Sequence, residues 1–426
     1  MTSTNGAADP RAAAPRSSLW RLPEFLKLWS AFSISRLGSQ ITILAFPLTA
    51  VLMLGAGATE TGLLVAARTL GFAVPGPLLG VWVDRHRRFP MLIGTNIASA
   101  LLIGSVPLAA ALGVLSMPQL YLVAYLAGVS GQITDLARQS IMTSVVPRDR
   151  LVAANSQMQA ANAVPQIAGP AIGDALVQAL SAPLAIAFDA ASFVIATGVL
   201  ALLRVRETVH PRLEGARLWH EVAEGMRFLR GQDLLMRSVV AIALANIEWF
   251  AVQAVLIVYA TDELRLPPAA LGLALAAAGP AALIGAALTT PLVSRFGLGP
   301  VMIVALLFEA VSRLMLPFIG GPVLTAAILL GVTQALVGVT EALWSVGLVT
   351  LRQSLTPSRL LGRVTAATNT VQWIVAPPAA IGAGLLADAI GFRPTLFLQG
   401  VIAVVAVVYL FASPIRSMRA VPETVE

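Results

Sequence analysis

The sequence predicts an all-α integral membrane protein with twelve transmembrane helices in two pseudo-symmetric six-helix bundles. Two observations support this prediction, an unusually apolar composition and an internal repeat. Hydrophobic residues make up 57% of the 426 residues and charged residues only 12%, whereas an ordinary soluble domain carries about 25% charged residues. The composition therefore excludes a soluble globular protein and indicates a chain that lies largely within a lipid bilayer.

Apolar stretches long enough to cross a bilayer recur along the chain. A helical span needs about 20 predominantly apolar residues. Backbone groups in hydrocarbon must hydrogen-bond to one another, so each stretch is predicted to be a helix. To within about four residues, spans one to twelve lie at 25–53, 61–83, 89–112, 118–143, 151–180, 182–203, 237–260, 268–293, 298–319, 322–350, 361–387 and 392–413.

An internal repeat at an offset of 210 residues divides the chain into two similar halves. Four segments at the ends of spans recur in register. They are 62–67 with 272–277, 83–85 with 293–295, Pro90 with Pro300, and Pro147 with Pro357. Parallel repeats of hydrophobic helices are an architecture of secondary transporters, in which one half rocks against the other. The repeat therefore predicts two bundles with a cleft between them.

Arginine is concentrated in the connections on one side of the predicted membrane. The connections on the opposite side hold only Arg265 and Arg393. Positive residues stay on the cytoplasmic side, so both termini are predicted to be cytoplasmic. Lys27 is the only lysine among 28 basic residues, a bias typical of high-GC bacteria, so the expected location is a bacterial plasma membrane. The net charge of +7 resides in these connections, and we expect no nucleic-acid partner.

One long polar linker separates the two halves. Residues 1–22 are predicted to be a disordered cytoplasmic tail, 23–203 the N-terminal six-helix bundle, 204–236 the cytoplasmic linker, 237–413 the C-terminal six-helix bundle, and 414–426 a cytoplasmic tail. Apolar residues recur on one helical face of the linker, at Leu218, Val222, Met226 and Leu229. This pattern predicts an amphipathic helix on the membrane surface, with a plain tether as the alternative.

The chain lacks the side chains that most enzyme and metal sites need. It contains no cysteine and three histidines, of which His210 and His220 lie in the linker. Disulfides and thiol chemistry are therefore excluded, and a metal site is not expected. No nucleophile–base pair and no glycine-rich phosphate-binding loop with a lysine is present. We expect no catalytic residues, no metal and no cofactor.

The connection between spans two and three carries a motif of glycine, acid and arginines. The motif consists of Gly80, Asp84, Arg85 and Arg88. It resembles the signature loop of the major facilitator superfamily, with Arg87 where that family usually has glycine. The resemblance extends over nearly the whole chain. It implies the major facilitator fold and secondary active transport by alternating access.

The chemistry of this motif is that of a gate. Glycine lets two helices approach closely, and exposed N–H groups at a helix N-terminus stabilise an acid. The family implies that Asp84 meets the start of span eleven, near Leu361, and holds the cytoplasmic side closed in the outward-open state. The alternative is that the arginines only anchor the topology. In the second half Ser294 stands at the position that corresponds to Asp84. Of the two gate contacts that the repeat relates by symmetry, only the one in the first half therefore keeps its acid.

Span five carries a second motif. Gly169, Pro170 and Gly173 resemble the antiporter motif of drug–proton exchangers, which has a glycine where this chain has Asp174. Close helix packing is the alternative, because glycine and proline are frequent in transmembrane helices. Three further segments resemble the macrolide-efflux and siderophore-exporter branch of the superfamily. They are 75–88, 148–155 and 188–193.

Polar residues recur at helical spacing on the spans that the family fold places around a central cavity. Polar groups are costly in a bilayer, so periodic ones face protein or water. The candidate cavity residues are Gln40, Tyr125, Gln132, Gln159, Asn162, Asn246, Trp249, Gln253, Gln334, Trp344, Asn369, Gln372 and Trp373. The alternative is that such side chains form interhelical hydrogen bonds that hold each bundle together.

Three acids within the cavity spans are candidates for proton coupling. Asp135, Glu341 and Glu248 lie in spans four, ten and seven. A carboxyl group inside the membrane can bind and release a proton as its surroundings change. The alternative for Asp135 is a structural ion pair with Arg138. Arg36 in span one is a candidate partner for a coupling acid or for an anionic group of a substrate.

Other charges within the spans have local explanations. Glu309 and Arg313 lie four residues apart in span nine and are expected to neutralise each other. Asp189 lies in the first turns of span six, where a helix N-terminus favours an acid. Arg68 in span two has no local partner in the sequence, and the sequence offers no explanation for it.

Together these features predict a proton-coupled exporter that exchanges inward-moving protons for a hydrophobic or amphiphilic compound, such as a drug, a macrolide or a siderophore. The direction rests on the family resemblance. One alternative is an uptake symporter of the same fold, and an alternative of another class is a non-transporting membrane sensor or assembly partner. The expected partners are the small-molecule substrate, protons and the bilayer. We expect a monomer driven by the proton gradient.

Overall fold

The computed structural model describes residues 19–73, 79, 82–83, 86–147, 150–205, 218–357 and 360–418. In this part of the chain every predicted span is one helix or two consecutive helices. Spans one to six are Pro23–Leu54, Ala58–Ala73, Arg88–Ala111, Met117–Val145, Leu151–Ala179 and Ala182–Ala201. Spans seven to twelve are Asp233–Val258, Pro268–Ala276 with Ala278–Phe296, Leu298–Met315, Val323–Leu355, Leu361–Ile374 with Ala376–Ile390, and Phe392–Phe411.

The helices have the length and composition of membrane spans. Within the described residues, 10 helices are long and apolar enough to cross a membrane. Ala58–Ala73 and Leu151–Ala179 occupy the positions of spans two and five. The prediction of an all-α membrane protein is confirmed, and the predicted twelve spans are compatible with this helix order. The chain is therefore a multi-pass membrane protein.

Spans eight and eleven are each divided into two helices. The divisions lie at Ala277 and Val375, shortly before Pro280 and before the pair Pro377 and Pro378. Proline lacks an N–H, and its ring clashes with the preceding helical turn, so it interrupts the backbone hydrogen bonds of a helix. Span eleven consequently has a first helix that borders the chamber described below and a second helix that packs against the other half.

The two halves pack closely at one end of the bundle. We refer to the end at which the odd-numbered spans begin as the linker end, and to the opposite end as the distal end. At the distal end a Cβ atom on Gly62 of span two would lie 2.6 Å from the carbonyl oxygen of Ala380, and one on Gly384 of span eleven 2.5 Å from that of Ala58. Glycine at both positions therefore permits this close approach.

Apolar clusters join the halves at the distal end only, within the residues described. The distal cluster combines Leu64 of the N-terminal half with Leu256 and Leu271 of the C-terminal half. At the linker end, the cluster around Ile141 contains N-terminal residues, and the cluster around Leu351 contains C-terminal residues. Within the described residues the two halves are thus joined at the distal end, and their apolar clusters stay separate at the linker end.

Polar contacts reinforce the distal interface. Asp388 Oδ2 of span eleven accepts a hydrogen bond from the backbone N–H of Thr59 at 3.0 Å, in the first turn of span two. The Thr61 hydroxyl donates to the carbonyl oxygen of Ala254 in span seven at 2.8 Å. The first N–H groups of a helix lack partners within the helix, and the helix dipole favours an acid there. Asp388 therefore caps a helix of the opposite half.

The linker contains the helix Leu218–Gly231, which packs against the C-terminal half. Gly225 lies against the backbone of Arg363, and the carboxylate of Glu224 forms an ion pair with the Arg363 guanidinium at 2.6 Å. Leu229, on the predicted apolar face, is buried with Leu235 of span seven. This part of the face contacts protein instead of lipid, because Gly225 lets the helix approach span eleven closely.

Candidate functional site

The loop motif lies at the edge of the described structure. Gly80, Asp84 and Arg85 fall outside the described residues, and Arg88 is the first residue of span three. Val83, within the motif, is buried in the apolar cluster of the N-terminal half. The predicted contact between Asp84 and the start of span eleven stays a prediction.

The two glycines of the span-five motif lie against span one. Gly169 contacts the Gln40 side chain, and a Cβ atom on Gly173 would lie 3.3 Å from the Cα atom of Ile41. A larger side chain at Gly169 would therefore push the two helices apart. The side chain of Pro170 lies outside the described part of the chain. In this structure the two glycines let spans one and five pack closely against each other. A role of the motif in exchanging a drug for protons stays a prediction.

Asp135 in span four is held between two arginines. Arg36 Nη2 of span one lies 2.8 Å from both carboxylate oxygens, and Arg138 Nη2 lies 3.6 Å from Oδ1. Both guanidinium groups also approach the Phe32 ring, at 5.0 Å and 4.3 Å from its centroid, an arrangement that favours positive charge. The structure thus brings the candidates Arg36 and Asp135 together, and the alternative ion pair with Arg138 is present as well.

The remaining candidates of the N-terminal half do not converge on one site. Gln40 packs against span five, and the Asn162 side-chain amide donates to the backbone of its own helix at 3.3 Å. Tyr125 is exposed and Gln132 half-buried on span four. The side chain of Gln159 lies outside the described part of the chain. None of the described side chains among these borders the chamber found in the other half.

A chamber of about 340 Å³ lies within the C-terminal half, mainly between spans seven, ten and eleven. This volume is typical of small-molecule pockets, which measure about 300–1,000 Å³. Six of the predicted cavity and coupling residues line it, namely Asn246, Trp249, Glu341, Trp344, Asn369 and Gln372. Phe250, Glu309 and Arg352 add aromatic and charged groups, and Leu229 of the linker helix forms part of the wall at the linker end.

Four other candidates of the C-terminal half do not line the chamber, namely Glu248, which is described in the next paragraph, and Gln253, Gln334 and Trp373. Gln334 in span ten is buried and Gln253 in span seven is exposed. Trp373 of span eleven stacks on Phe72 of span two, with ring centroids 5.0 Å apart, and lies 5.9 Å from the ring of Phe250. Trp373 therefore joins the two halves beside the chamber.

Four charged side chains cluster at the chamber. Arg313 Nε of span nine lies 2.6 Å from Glu248 Oε1 of span seven, and Arg313 Nη2 lies 3.9 Å from Glu309 Oε1. These three residues are buried, and the Arg313 guanidinium carbon lies 5.5 Å from the centroid of the Trp249 ring. Glu341 is exposed to the chamber, and within the described residues it makes no ion pair.

The sequence did not predict that span nine contributes side chains to this site. The sequence predicted that Glu309 and Arg313 neutralise each other, but the shorter contact of Arg313 is with Glu248. Spacing along one helix identifies local partners only, whereas this pair joins two helices. One available signal was the imbalance of charge, since the middle parts of spans seven, nine and ten hold three glutamates and one arginine.

Comparisons with known proteins identify the family of the chain. A sequence profile described as Major Facilitator Superfamily matches residues 28–380. Macrolide efflux protein A of Streptococcus pyogenes is 23% identical over 405 residues, which cover 94% of this chain and 98% of that protein. The multidrug efflux pump Tap of Mycolicibacterium fortuitum is 26% identical over 401 residues, which cover 90% of this chain and 95% of that protein.

Solved transporter structures share the fold. The nucleoside transporter NupG superimposes with a TM-score of 0.75 at 12% identity, over 92% of this chain and 99% of that chain. A bacterial homologue of the iron transporter ferroportin in its inward-facing state gives a TM-score of 0.73 at 20% identity, over 92% of this chain and 98% of that chain. The profile spans most of the chain and agrees with the helix order. The chain is therefore a multi-pass membrane transporter that belongs to the Major Facilitator Superfamily.

Proposed function

We propose that this transporter exports hydrophobic or amphiphilic small molecules, such as drugs, macrolides or siderophores, in exchange for protons. The names of two relatives, a macrolide efflux protein and a multidrug efflux pump, support this direction and this substrate class. In the proposal the protein acts as a monomer in a bacterial plasma membrane with both termini in the cytoplasm. The proton gradient drives it without a cofactor, and it binds no nucleic acid.

The observation that carries the proposal is an aromatic and acidic chamber within the C-terminal half, in a molecule whose described apolar clusters join the two halves at the distal end. If the arginine-rich linker end faces the cytoplasm, the chamber of about 340 Å³ receives its substrate from the cytoplasmic side. The ferroportin homologue supports this assignment, because the TM-score is 0.73 with its inward-facing structure and 0.59 with its outward-facing one.

In the proposed cycle Glu341 carries the coupling proton. Its carboxyl group faces the chamber, so protonation and substrate binding act on the same space. Glu248 is a weaker candidate because Arg313 already pairs with it at 2.6 Å. Asp135 is a second candidate, with Arg36 as the partner that stabilises its charged form. Protonation of Glu341 removes one negative charge from the chamber. This lowers the free-energy cost of moving the C-terminal half between the two states of the transport cycle.

Alternating access requires the distal interface to open as the linker end closes. The glycine contacts between spans two and eleven, the hydrogen bond of Thr61 and the cap provided by Asp388 must then break. The predicted contact of Asp84 with the start of span eleven would hold the opposite state. Each state would therefore be stabilised by an acid at a helix N-terminus.

Transport into proteoliposomes with an imposed pH gradient tests the proposal. With an acidic lumen, protons that leave the vesicle should drive accumulation of a radiolabelled macrolide, and a protonophore should abolish it. Glu341→Gln should lose this accumulation. Asp262→Asn should keep it, because Asp262 is exposed at the distal end and remote from the chamber.

Two results would contradict the proposal. Accumulation with an acidic exterior instead of an acidic lumen would identify an uptake symporter. A panel of macrolides, dyes and siderophores that shows no proton-dependent movement in either direction would favour the sensor or assembly partner.

A further inference from the structure

We propose that the chamber of the C-terminal half binds an organic cation, whose ammonium or phosphonium group lies between the carboxylates of Glu309 and Glu341 and the rings of Trp249 and Trp344. The inference rests on the proposed function, because it names the substrate class of the same chamber. Four observations on the described residues lead to it, namely the charge balance, an unpaired oxygen, the aromatic lining and the position of Arg352.

The first observation is an excess of negative charge. Glu309 and Glu341 line the chamber, and Glu248 lies behind it, where Arg313 contacts both Glu248 and Glu309. Arg313 is already engaged, at 2.6 Å from Glu248 and 3.9 Å from Glu309. Uncompensated charge in a protein interior is costly. A proton or a bound cation would therefore stabilise the carboxylates that Arg313 does not neutralise.

The second observation is an oxygen atom without a donor. Glu309 Oε2 has no hydrogen-bond partner among the described residues, and the nearby Arg313 Nη2, 3.9 Å from the other oxygen of Glu309, has none either. Glu309 is only 5% exposed and lines the chamber. Leaving a buried acceptor unsatisfied costs about 1–3 kcal/mol, and more for a charged group. A cationic ligand beside Glu309 would offset the charge of this carboxylate, and an ammonium N–H would in addition donate a hydrogen bond to Oε2. A neutral apolar ligand would do neither.

The third observation is the aromatic lining. Trp249, Phe250 and Trp344 border the chamber together with the acids. The faces of aromatic rings attract cations, and tryptophan does so most strongly. Trp249 already has the guanidinium of Arg313 near its ring, at 5.5 Å from the centroid. Acids and aromatic faces in one chamber form an environment suited to a bulky, weakly hydrated cation.

The fourth observation is the position of the basic residue in the lining. Arg352 lies about three turns beyond Glu341 on span ten, roughly 16 Å along the helix axis and toward the linker end. The inner part of the chamber is therefore acidic, and its mouth is basic. An anionic ligand would bind at the mouth and not between Glu309 and Glu341.

A metal ion fits the lining less well than an organic cation. Within the described residues no group of three or more histidine, aspartate or glutamate side chains could hold a metal ion. Hard cations such as Ca²⁺ take about 6–8 oxygen ligands, whereas this chamber offers indole and phenyl rings beside two carboxylates. The chemistry therefore favours a cation that carries apolar substituents.

A matched pair of probes tests the inference. Tetraphenylphosphonium and tetraphenylborate have nearly the same size and shape and opposite charge. Binding of each radiolabelled ion to the purified full-length protein in detergent is measured by equilibrium dialysis, without a pH gradient, as the fraction displaced by excess unlabelled ion. We expect wild-type protein to bind the phosphonium roughly tenfold or more tightly than the borate. Equal affinities would overturn the inference, and this comparison needs no variant.

Two variants locate the site. Glu341→Gln and Glu309→Gln should each weaken phosphonium binding by roughly tenfold, while Asp262→Asn should bind it like the wild type. Unfolding temperatures of the purified variants show whether each is folded. Unchanged phosphonium affinity in folded Glu341→Gln would overturn the inference. If that variant does not fold, Glu309→Gln and the comparison of the two ions decide.

The binding measurements, taken together with the proteoliposome transport assay, separate this inference from the proposed function. Saturable binding of the phosphonium without any pH-driven transport would support the cation site and refute proton-coupled export. Proton-driven export of a macrolide by a protein that does not prefer the phosphonium over the borate would support export and refute the cation site.

Discussion

Among the described residues of the C-terminal half, one guanidinium group contacts both buried glutamates of the chamber region. Arg313 is 2% exposed, lies 2.6 Å from Glu248 and 3.9 Å from Glu309, and comes from a helix outside the predicted cavity spans. Breaking a buried ion pair by removing one partner costs about 3–5 kcal/mol, because the other charge stays buried without compensation. Arg313 should therefore matter for stability as well as for the chamber.

Replacing this arginine should destabilise the protein measurably. We expect Arg313→Gln to lose about 3–5 kcal/mol and the double variant with Glu248→Gln to recover part of this loss. Thermal unfolding in detergent, followed by tryptophan fluorescence, measures both effects. Arg265→Gln is the matched control, because Arg265 is exposed and such surface changes stay within about 0.5 kcal/mol. An unfolding temperature of Arg313→Gln equal to that of the control would show that the pair contributes little.

The charges around Asp135 raise a different question, since this acid either carries a proton or balances two arginines. Arg36 lies 2.8 Å and Arg138 3.6 Å from its carboxylate. We expect Asp135→Asn to reduce transport, because it leaves two cations beside Phe32 unneutralised, and the double variant with Arg36→Gln to restore most of it. Macrolide accumulation in proteoliposomes measures both. If the double variant stays as inactive as Asp135→Asn, Asp135 carries the proton.

At the scale of whole helices, span eleven has two tasks that its division at Val375 separates. Its first helix presents Asn369 and Gln372 to the chamber, and its second helix presents Gly384 and Asp388 to span two. The contacts of the second helix must break in each transport cycle. Changes in this helix should therefore alter the balance between the two states and leave the chamber intact.

Adding a methyl group at Gly384 should open the distal interface between the two halves. In Gly384→Ala the new Cβ atom would lie 2.5 Å from the carbonyl oxygen of Ala58, and such overpacking costs about 1–3 kcal/mol. The native chain has no cysteine, so a single Leu256→Cys reporter shows how often the interface opens. We expect an impermeant maleimide to label it roughly tenfold faster. Gly382→Ala is the matched control, because no atom lies within 4 Å of its new Cβ, and equal labelling of the two variants would contradict the prediction.

Removing the cap that Asp388 provides at the start of span two should also open the distal interface, but less than Gly384→Ala does. Asp388→Ala removes the acceptor of the Thr59 N–H, and a carboxylate at a helix N-terminus shifts an equilibrium by roughly two- to fivefold. The Leu256→Cys reporter should therefore be labelled roughly two- to fivefold faster. Salt should weaken the difference, because exposed charges are screened. Labelling slower than in the parent would show that Asp388 does not hold the distal end closed.

The sequence predicted helices better than it predicted their contacts. Apolar length and the repeat identified the spans, because hydrocarbon permits few backbone structures. Periodicity located a polar face on span seven, and Asn246 and Trp249 of that face border the chamber. The same reasoning applied to Gln40 and Asn162 found side chains that contact neighbouring helices or their own backbone. A polar stripe shows that a face avoids lipid, but not whether it meets a cavity or another helix.

At the scale of the whole molecule the two halves differ in charge more than their repeat suggests. Two arginines surround one aspartate in the N-terminal half, whereas in the C-terminal half two glutamates share one arginine and a third, Glu341, faces the chamber. Pairwise spacing along single helices did not reveal this difference, because the partners come from separate spans. The repeat predicted a cleft between the two bundles, whereas the described chamber lies within the C-terminal half.

The attachment of the linker helix has a consequence for how the protein can be made. Because Glu224 and Gly225 fasten this helix to Arg363, a polypeptide that starts just before residue 218 already contains its own docking partner. We expect two co-expressed fragments, divided between residues 205 and 218, to associate in the membrane and to transport like the intact chain. Division after Gly231 should yield inactive fragments, since it detaches the helix from span seven. Co-purification and transport would measure reassembly, and successful reassembly would mean that the covalent connection ensures equal numbers of both halves and does not guide their movement.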